Sequence, residues 1–377
     1  MKLIIQPKDG VEPLIRGIDK ARKSIEIAIF RFDRKEVEHA LENAAKRGVL
    51  VHALIADTNR SGEKELRKLE TRLLARGITV ARTSDDLVRY HGKMMIVDRK
   101  ELYVLAFNFT RLDIDHSRSF GIITKSRQLV QEAVRLFESD TKRQPYTARC
   151  AKFLVSPVNA RERLSAFIKG ARHELLIYDS KISDRALVRL LEQRAKAGVE
   201  VRIVGRVARN NSSFNVHKLP KMRLHTRSII RDRHQAFLGS QSLRELELDA
   251  RREVGVIVHD SKMINSLVKI FEEDWSSTGA STTNGAKAEA GAQATEIAAR
   301  TAEVVVKDFP SVAPVVEKAV RKVVGKTADA KLDHEEMEAT VKDAVQKTIQ
   351  EVVRDAVEQV AAEDHPDGKK NAPSAQK

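Results

Sequence analysis

Only one of the 377 residues is a cysteine, Cys150, so the chain holds no internal disulfide and no cysteine-based zinc site. Long apolar runs are missing too. No stretch approaches the roughly 18–20 apolar residues that a membrane span requires, so any membrane contact is expected to be peripheral. The opening MKLIIQPKDG is too briefly apolar for a secretion signal and reads as a first strand, which points to a cytoplasmic location. Aromatic residues make up 5% of the chain and Trp275 is the single tryptophan. Neither an interfacial aromatic anchor nor an aromatic-and-basic segment for stacking bases stands out. Acidic side chains are also short, 53 against 68 basic ones, a net of +15. The imbalance is uneven: residues 280–377 carry 14 basic and 17 acidic side chains, which leaves +18 on residues 1–279. A basic part of this kind implies an anionic partner, whether nucleic acid, a phospholipid head group or another phosphate ester.

Against these absences stands a polar string present twice. HGKMMIVD at 91–98 returns as HTRSIIRD at 225–232, so His91, Lys93 and Asp98 match His225, Arg227 and Asp232 in spacing. The match is part of an internal repeat. At one constant shift, Leu14 and Ile18 fall on Leu164 and Ile168, ARKSIEIAIF (21–30) overlies ARHELLIYDS (171–180), and Gly48 meets Gly198. From the motifs onward the shift is shorter but again constant, and Phe137, Glu138 and Asp140 meet Phe271, Glu272 and Asp274. The second half has therefore lost a stretch of chain, which the helical pattern near 63–76 best accounts for. Each half reads strand, helix, strand, loop, motif strand, short strand, closing helix. The boundaries expected are 1–146 and 147–279 for the halves and 280–377 for a tail. A small, polar linker at 276–294 leads into that tail, which continues with a stripe of Val341, Val345, Ile349, Val352, Ala356 and Val360 at helical spacing. The stripe suits a docking or self-associating helix, and the end from His365 has the composition of a disordered segment. No chemistry is placed in the tail.

Alternating apolar residues after each histidine place the His-x-Lys/Arg pairs on strands, where residues two apart share a face. Imidazole and cation would then meet at one phosphate, the cation neutralising oxygens while the imidazole attacks or protonates. Two further positions repeat. Asn108 and Ser242 occupy equivalent places after the two motif histidines and can donate to a phosphoryl oxygen; further on, Ser119 and Glu253 are equivalent in the same way. A carboxylate such as Glu253, held against an imidazole, fixes its tautomer and stabilises its charge. No Cys/His or carboxylate cluster has zinc or magnesium spacing, so no metal is expected.

Over residues 1–275 the chain resembles the phospholipase D superfamily, whose mark is a doubled His-x-Lys-(x)4-Asp followed by Gly-Ser-x-Asn and a downstream acid. The resemblance implies an α/β fold of two pseudo-symmetric halves, each a β-sheet flanked by helices, with one active site at their junction and no cofactor. It further implies His91 as nucleophile forming a phosphohistidine and His225 as general acid and base. Lys93, Arg227, Asn108, Ser240 and Ser242 would surround the phosphate, and Asp98 and Asp232 would complete the catalytic motifs. In similar proteins the acid of one half orients the histidine of the other, so the resemblance implies Glu253 on His91 and Ser119 opposite His225, with Asp113 or Asp115 as substitutes. Four positions depart from the pattern: Leu105-Ala106 for Gly-Ser, Arg227 for Lys, Ser242 for Asn, and Ser119 for the acid. Arg227 is a longer, planar cation, so that exchange is not neutral. The favoured activity is cleavage or transfer at a phospholipid phosphodiester. The alternatives are a nuclease on the same scaffold, favoured by the basic first part of the chain, and a weakened, mainly binding descendant, favoured by the four departures.

Overall fold

The computed structural model describes residues 1–56, 63–208, 214–220 and 222–279. The tail from 280, with most of its expected linker and all of the helical stripe, lies outside the described residues.

Two mixed sheets carry the fold, and their strand orders are the same. The first runs Lys2–Gln6, Ser117–Thr124, Glu101–Leu105, Met94–Val97, Ser24–Ile29, Leu50–Ile55, Thr79–Arg82. The second runs Phe153–Val155, Val254–Val258, Gln235–Gly239, Arg227–Arg231, Glu174–Ile182, Glu200–Val207, Asn215–His217. In both, the motif strand pairs antiparallel with the second strand of its half, which itself pairs parallel with the third. Helix Glu63–Ala75 precedes the last strand of the first sheet. Only the segment 208–214 separates the corresponding strands of the second. The stretch that the second half lacks is that helix and its connections.

Amphipathic spacing builds the outer layers. In helix Lys35–Lys46, Val37, Ala40, Leu41 and Ala44 are buried at the intervals that make one helix face. Gly48, with φ of +84°, ends that helix in the left-handed region, and Gly198 does the same in the second half at +88°. Period-two alternation sorts the motif strand: Met94 and Ile96 join one apolar cluster, Met95 and Val97 another. The first of these clusters draws on both sheets and on helices Arg127–Thr141 and Ser261–Gly279, so the two halves share a core. Both halves belong to one compact unit, Met1–Ser281. Among the described residues no helix is long and apolar enough to cross a membrane.

Short strands also join the halves directly. The two-residue strand Arg89–Tyr90, just before His91, pairs with Arg251–Arg252 of the second half. Its counterpart Arg223–Leu224, just before His225, pairs with Ser117–Arg118 of the first. Each histidine is thus delivered to the opposite half.

Candidate active site

His91 does not sit on the motif strand, as its alternation suggested. The strand starts at Met94, because the His91 and Gly92 N–H groups both donate to Arg252 O, at 2.8 Å each, and the chain leaves its own sheet to do so. His225 likewise precedes its strand, and its N–H and that of Thr226 donate to Arg118 O at 3.1 Å.

The His91 ring is held firmly. Its Nδ1 lies 2.9 and 3.0 Å from the two carboxylate oxygens of Glu253, which is wholly buried. Phe30 packs edge-on against the ring, centroids 4.9 Å apart. With Nδ1–H donating to Glu253, the lone pair falls on Nε2. Lys93 Nζ donates to His91 O at 2.6 Å and stands 3.1 Å from each ring nitrogen. Burial and then the charges of Lys93 and Arg227 drive the His91 pKa well below that of an ordinary histidine. Burial lowers Lys93 to about 8 and raises Glu253.

His225 is held more loosely, by an acid that one of the two substitutes named on sequence supplies. Asp113 Oδ2 lies 3.4 Å from His225 Nδ1, an electrostatic contact slightly longer than a hydrogen bond. Ser119, the expected partner, is buried with its hydroxyl unpaired among the described residues. The other substitute, Asp115, pairs with Arg34 instead. Asp113 accepts the Asn108 N–H at 2.8 Å, the Asn108 side-chain amide at 2.7 Å and Arg223 Nη1 at 2.7 Å. Burial pushes its pKa up, but His225, the Asn108 N–H and Arg223 outweigh that and hold it at about 2. His225 itself is driven well below the usual range by burial and Arg227, with Asp113 opposing.

The signal for Asp113 was present in the repeat: it and Glu247 lie at the same interval after their motif histidines. Glu247 accepts the Ser242 N–H at 2.8 Å as Asp113 accepts that of Asn108, and it pairs with Arg251 at 3.2 Å. A second acid had no such signal. Asp179, buried, accepts the Ser242 hydroxyl and the Leu243 N–H, whereas its counterpart in the first half is Ile29. The two sides of the site are therefore chemically unequal.

The remaining expected residues divide. Arg227 Nη1 donates to His225 O at 2.7 Å, the counterpart of the Lys93 contact, and its Nε is unpaired among the described residues. The charges of Lys93 and Arg227 lower the pKa of both histidines. Asn108 donates its side-chain amide to Asp113 and leaves Oδ1 unpaired among the described residues. Ser242 is committed to Asp179. Ser240 braces the neighbouring strand, its hydroxyl accepting the Val254 N–H at 3.1 Å and donating to Val254 O at 3.3 Å.

Asp98 and Asp232, which the resemblance adds to the catalytic motifs, lie away from the two histidines. Each sits in a turn at the far end of its motif strand, with φ near +50°. Asp98 collects the N–H groups of Arg22, Lys23 and Ser24, and Asp232 those of Arg172, His173 and Glu174. They fasten the motif strand to the neighbouring strand's start. Among the described residues no three His, Cys, Asp or Glu side chains are grouped to hold a metal.

Comparison with known proteins falls on the same segments. The family model described as cardiolipin synthase, PLD-like domain, matches residues 14–141 and 164–275. The mitochondrial cardiolipin hydrolase of Danio rerio is 29% identical over 130 residues, covering 33% of this chain and 56% of that protein. A polyphosphate kinase of Prosthecochloris aestuarii is 24% identical over 308 residues, covering 70% of this chain and 41% of the kinase. The chain thus spans about half the length of the curated relatives it matches. Among solved structures, phosphatidylserine synthase from Haemophilus influenzae superposes with a TM-score of 0.56 at 9% identity, covering 74% of this chain and 86% of that one, a likeness of fold.

Proposed function

The chain belongs to the phospholipase D-like family of the cardiolipin synthase domain, and from that membership we propose that it cleaves or transfers at a phospholipid phosphodiester through a phosphohistidine on His91. One observation carries the reading: each motif histidine has a cation beside it and an acid against it, the acid coming from the other half.

His91 Nε2 carries the free electron pair and attacks phosphorus, forming a P–N bond while the P–O bond to the leaving alcohol breaks. Glu253 stabilises the charge that the imidazole gains. Lys93 and Arg227 neutralise the non-bridging oxygens. His225 gives its proton to the departing alkoxide, then takes one from water or an acceptor alcohol, which attacks phosphorus and restores His91. The His225 pKa is depressed in the free site, so the ring must gain its proton as substrate arrives. An anionic phosphate beside it favours the charged form, and Asp113 works in the same direction.

Lipid chemistry is supported by the family model and by the cardiolipin hydrolase relative. A second reading, phosphoryl transfer from a phosphoanhydride to histidine, is favoured by the polyphosphate kinase match across 70% of the chain. The binding-only alternative loses ground because Asp113 supplies the acid that position 119 lacks. The test is turnover of cardiolipin and phosphatidylglycerol vesicles beside polyphosphate with ADP and single-stranded DNA, with His91→Ala as blank. His91-dependent release of lipid head group is expected. Turnover of polyphosphate or DNA alone would replace this reading.

A further inference from the structure

Two arginines outside the motifs connect the histidines to the junction. Arg252 O accepts the His91 and Gly92 N–H groups, and Arg252 is followed by Glu253, the acid on His91. Its guanidinium returns to the first half, where Nη2 lies 3.1 Å from Asp140 on helix Arg127–Thr141. Arg118 repeats the arrangement in reverse. Its carbonyl accepts the His225 and Thr226 N–H groups, while Nε and Nη2 donate to the two oxygens of Asp274, at 2.8 Å each, on helix Ser261–Gly279. Tyr178 also donates to Asp274, at 2.6 Å. Arg118 falls on Arg252 in the repeat, and Asp140 on Asp274, so one device is present twice.

In each case the arginine's carbonyl and part of its guanidinium engage the half that owns the histidine it supports, while Nη1 donates within the arginine's own half, Arg252 to Ser156 O at 3.3 Å and Arg118 to Gln6 O at 3.2 Å, so each side chain bridges the junction. A buried ion pair gives little stability over apolar residues of equal volume, and Arg252, Asp140 and Asp274 are all buried. Retention of the pair in both copies is explained by registry. We propose that Arg118 and Arg252 are positioning residues that set each motif histidine in register with its acid across the junction. The proposal deepens the phosphodiesterase reading and rests on it for its kinetic arm only.

The two pairs are unequal. Arg118–Asp274 is two-pronged, whereas Arg252–Asp140 is a single contact, so the His91–Glu253 register is the more easily disturbed. The test replaces that pair with apolar residues, Arg252→Met with Asp140→Leu, which leaves no stranded charge. Three quantities are measured: the His91 Nδ1–H signal by nitrogen and proton NMR without substrate, and kcat and KM on bis(p-nitrophenyl) phosphate. The expected result is a displaced or lost Nδ1–H signal, kcat down at least tenfold and KM within about twofold, in a protein that melts as the unaltered chain does. An unchanged signal with full kcat overturns the proposal. If the unaltered chain turns over no phosphodiester, the functional reading fails while the NMR signal still decides the positioning. Should the double variant not fold, Arg252→Lys is measured instead. A shifted signal with at least threefold lower kcat supports the proposal, and a wild-type signal and rate overturn it.

Discussion

Replacing Glu253 by glutamine separates the charge of the His91 partner from its shape. The carboxylate is completely buried and meets His91 Nδ1 at 2.9 and 3.0 Å. Glutamine keeps the volume and one acceptor oxygen, so Nδ1–H can still donate and Nε2 can stay free. The lost quantity is the stabilisation of positive charge on the ring when Nε2 bonds to phosphorus. A charge-assisted hydrogen bond of this kind contributes about 1.5–3 kcal/mol, which slows formation of the intermediate by roughly 10- to 150-fold. The assay is rapid mixing with a labelled phosphodiester, quenching into alkali to preserve phosphohistidine, and counting label on protein against time. Intermediate formation at the unaltered rate would refute the reasoning: His91 would be oriented otherwise, or His225 would be the nucleophile.

Four further outcomes are expected. Asp113→Asn removes a charge that favours protonated His225, so the kcat/KM optimum should move to lower pH; a pH–rate profile unmoved by the change would remove Asp113 from the site. Lys93, lowered to about 8, loses its charge as pH rises through that value, so substrate affinity should fall above about pH 8; Lys93→Arg should abolish that limb in a KM-versus-pH series. Asp98→Ala and Asp232→Ala each release three main-chain N–H groups and should each cost about 1–3 kcal/mol in a denaturant melt while leaving kcat within about twofold; a rate collapse without destabilisation would return them to the catalytic set. If Lys93 and Arg227 neutralise the phosphate as proposed, turnover should survive excess EDTA; loss restored by Mg²⁺ or Zn²⁺ would contradict that assignment.

The duplication, the place of the deletion and the identity of the paired histidines and cations are legible from residue order, because each is a matter of spacing along one chain. Spacing also set Glu253 apart as an acid at a repeated position, though its match to His91 came through family resemblance. What the tertiary structure decided is who touches whom across the junction. Asp113 belongs to the other half from His225 and reaches it only because strands Arg223–Leu224 and Ser117–Arg118 pair between halves. Asp98 and Asp232 share the motif's spacing yet turn away, since a strand carries its two ends apart, one to the phosphate and one to a turn that needs an acceptor for three N–H groups. Ser240 and Ser242 kept the residue types of phosphate donors while a neighbouring strand and a buried aspartate took their hydroxyls. A side chain's partner is set by the packing of two sheets, and no interval along the sequence encodes that docking.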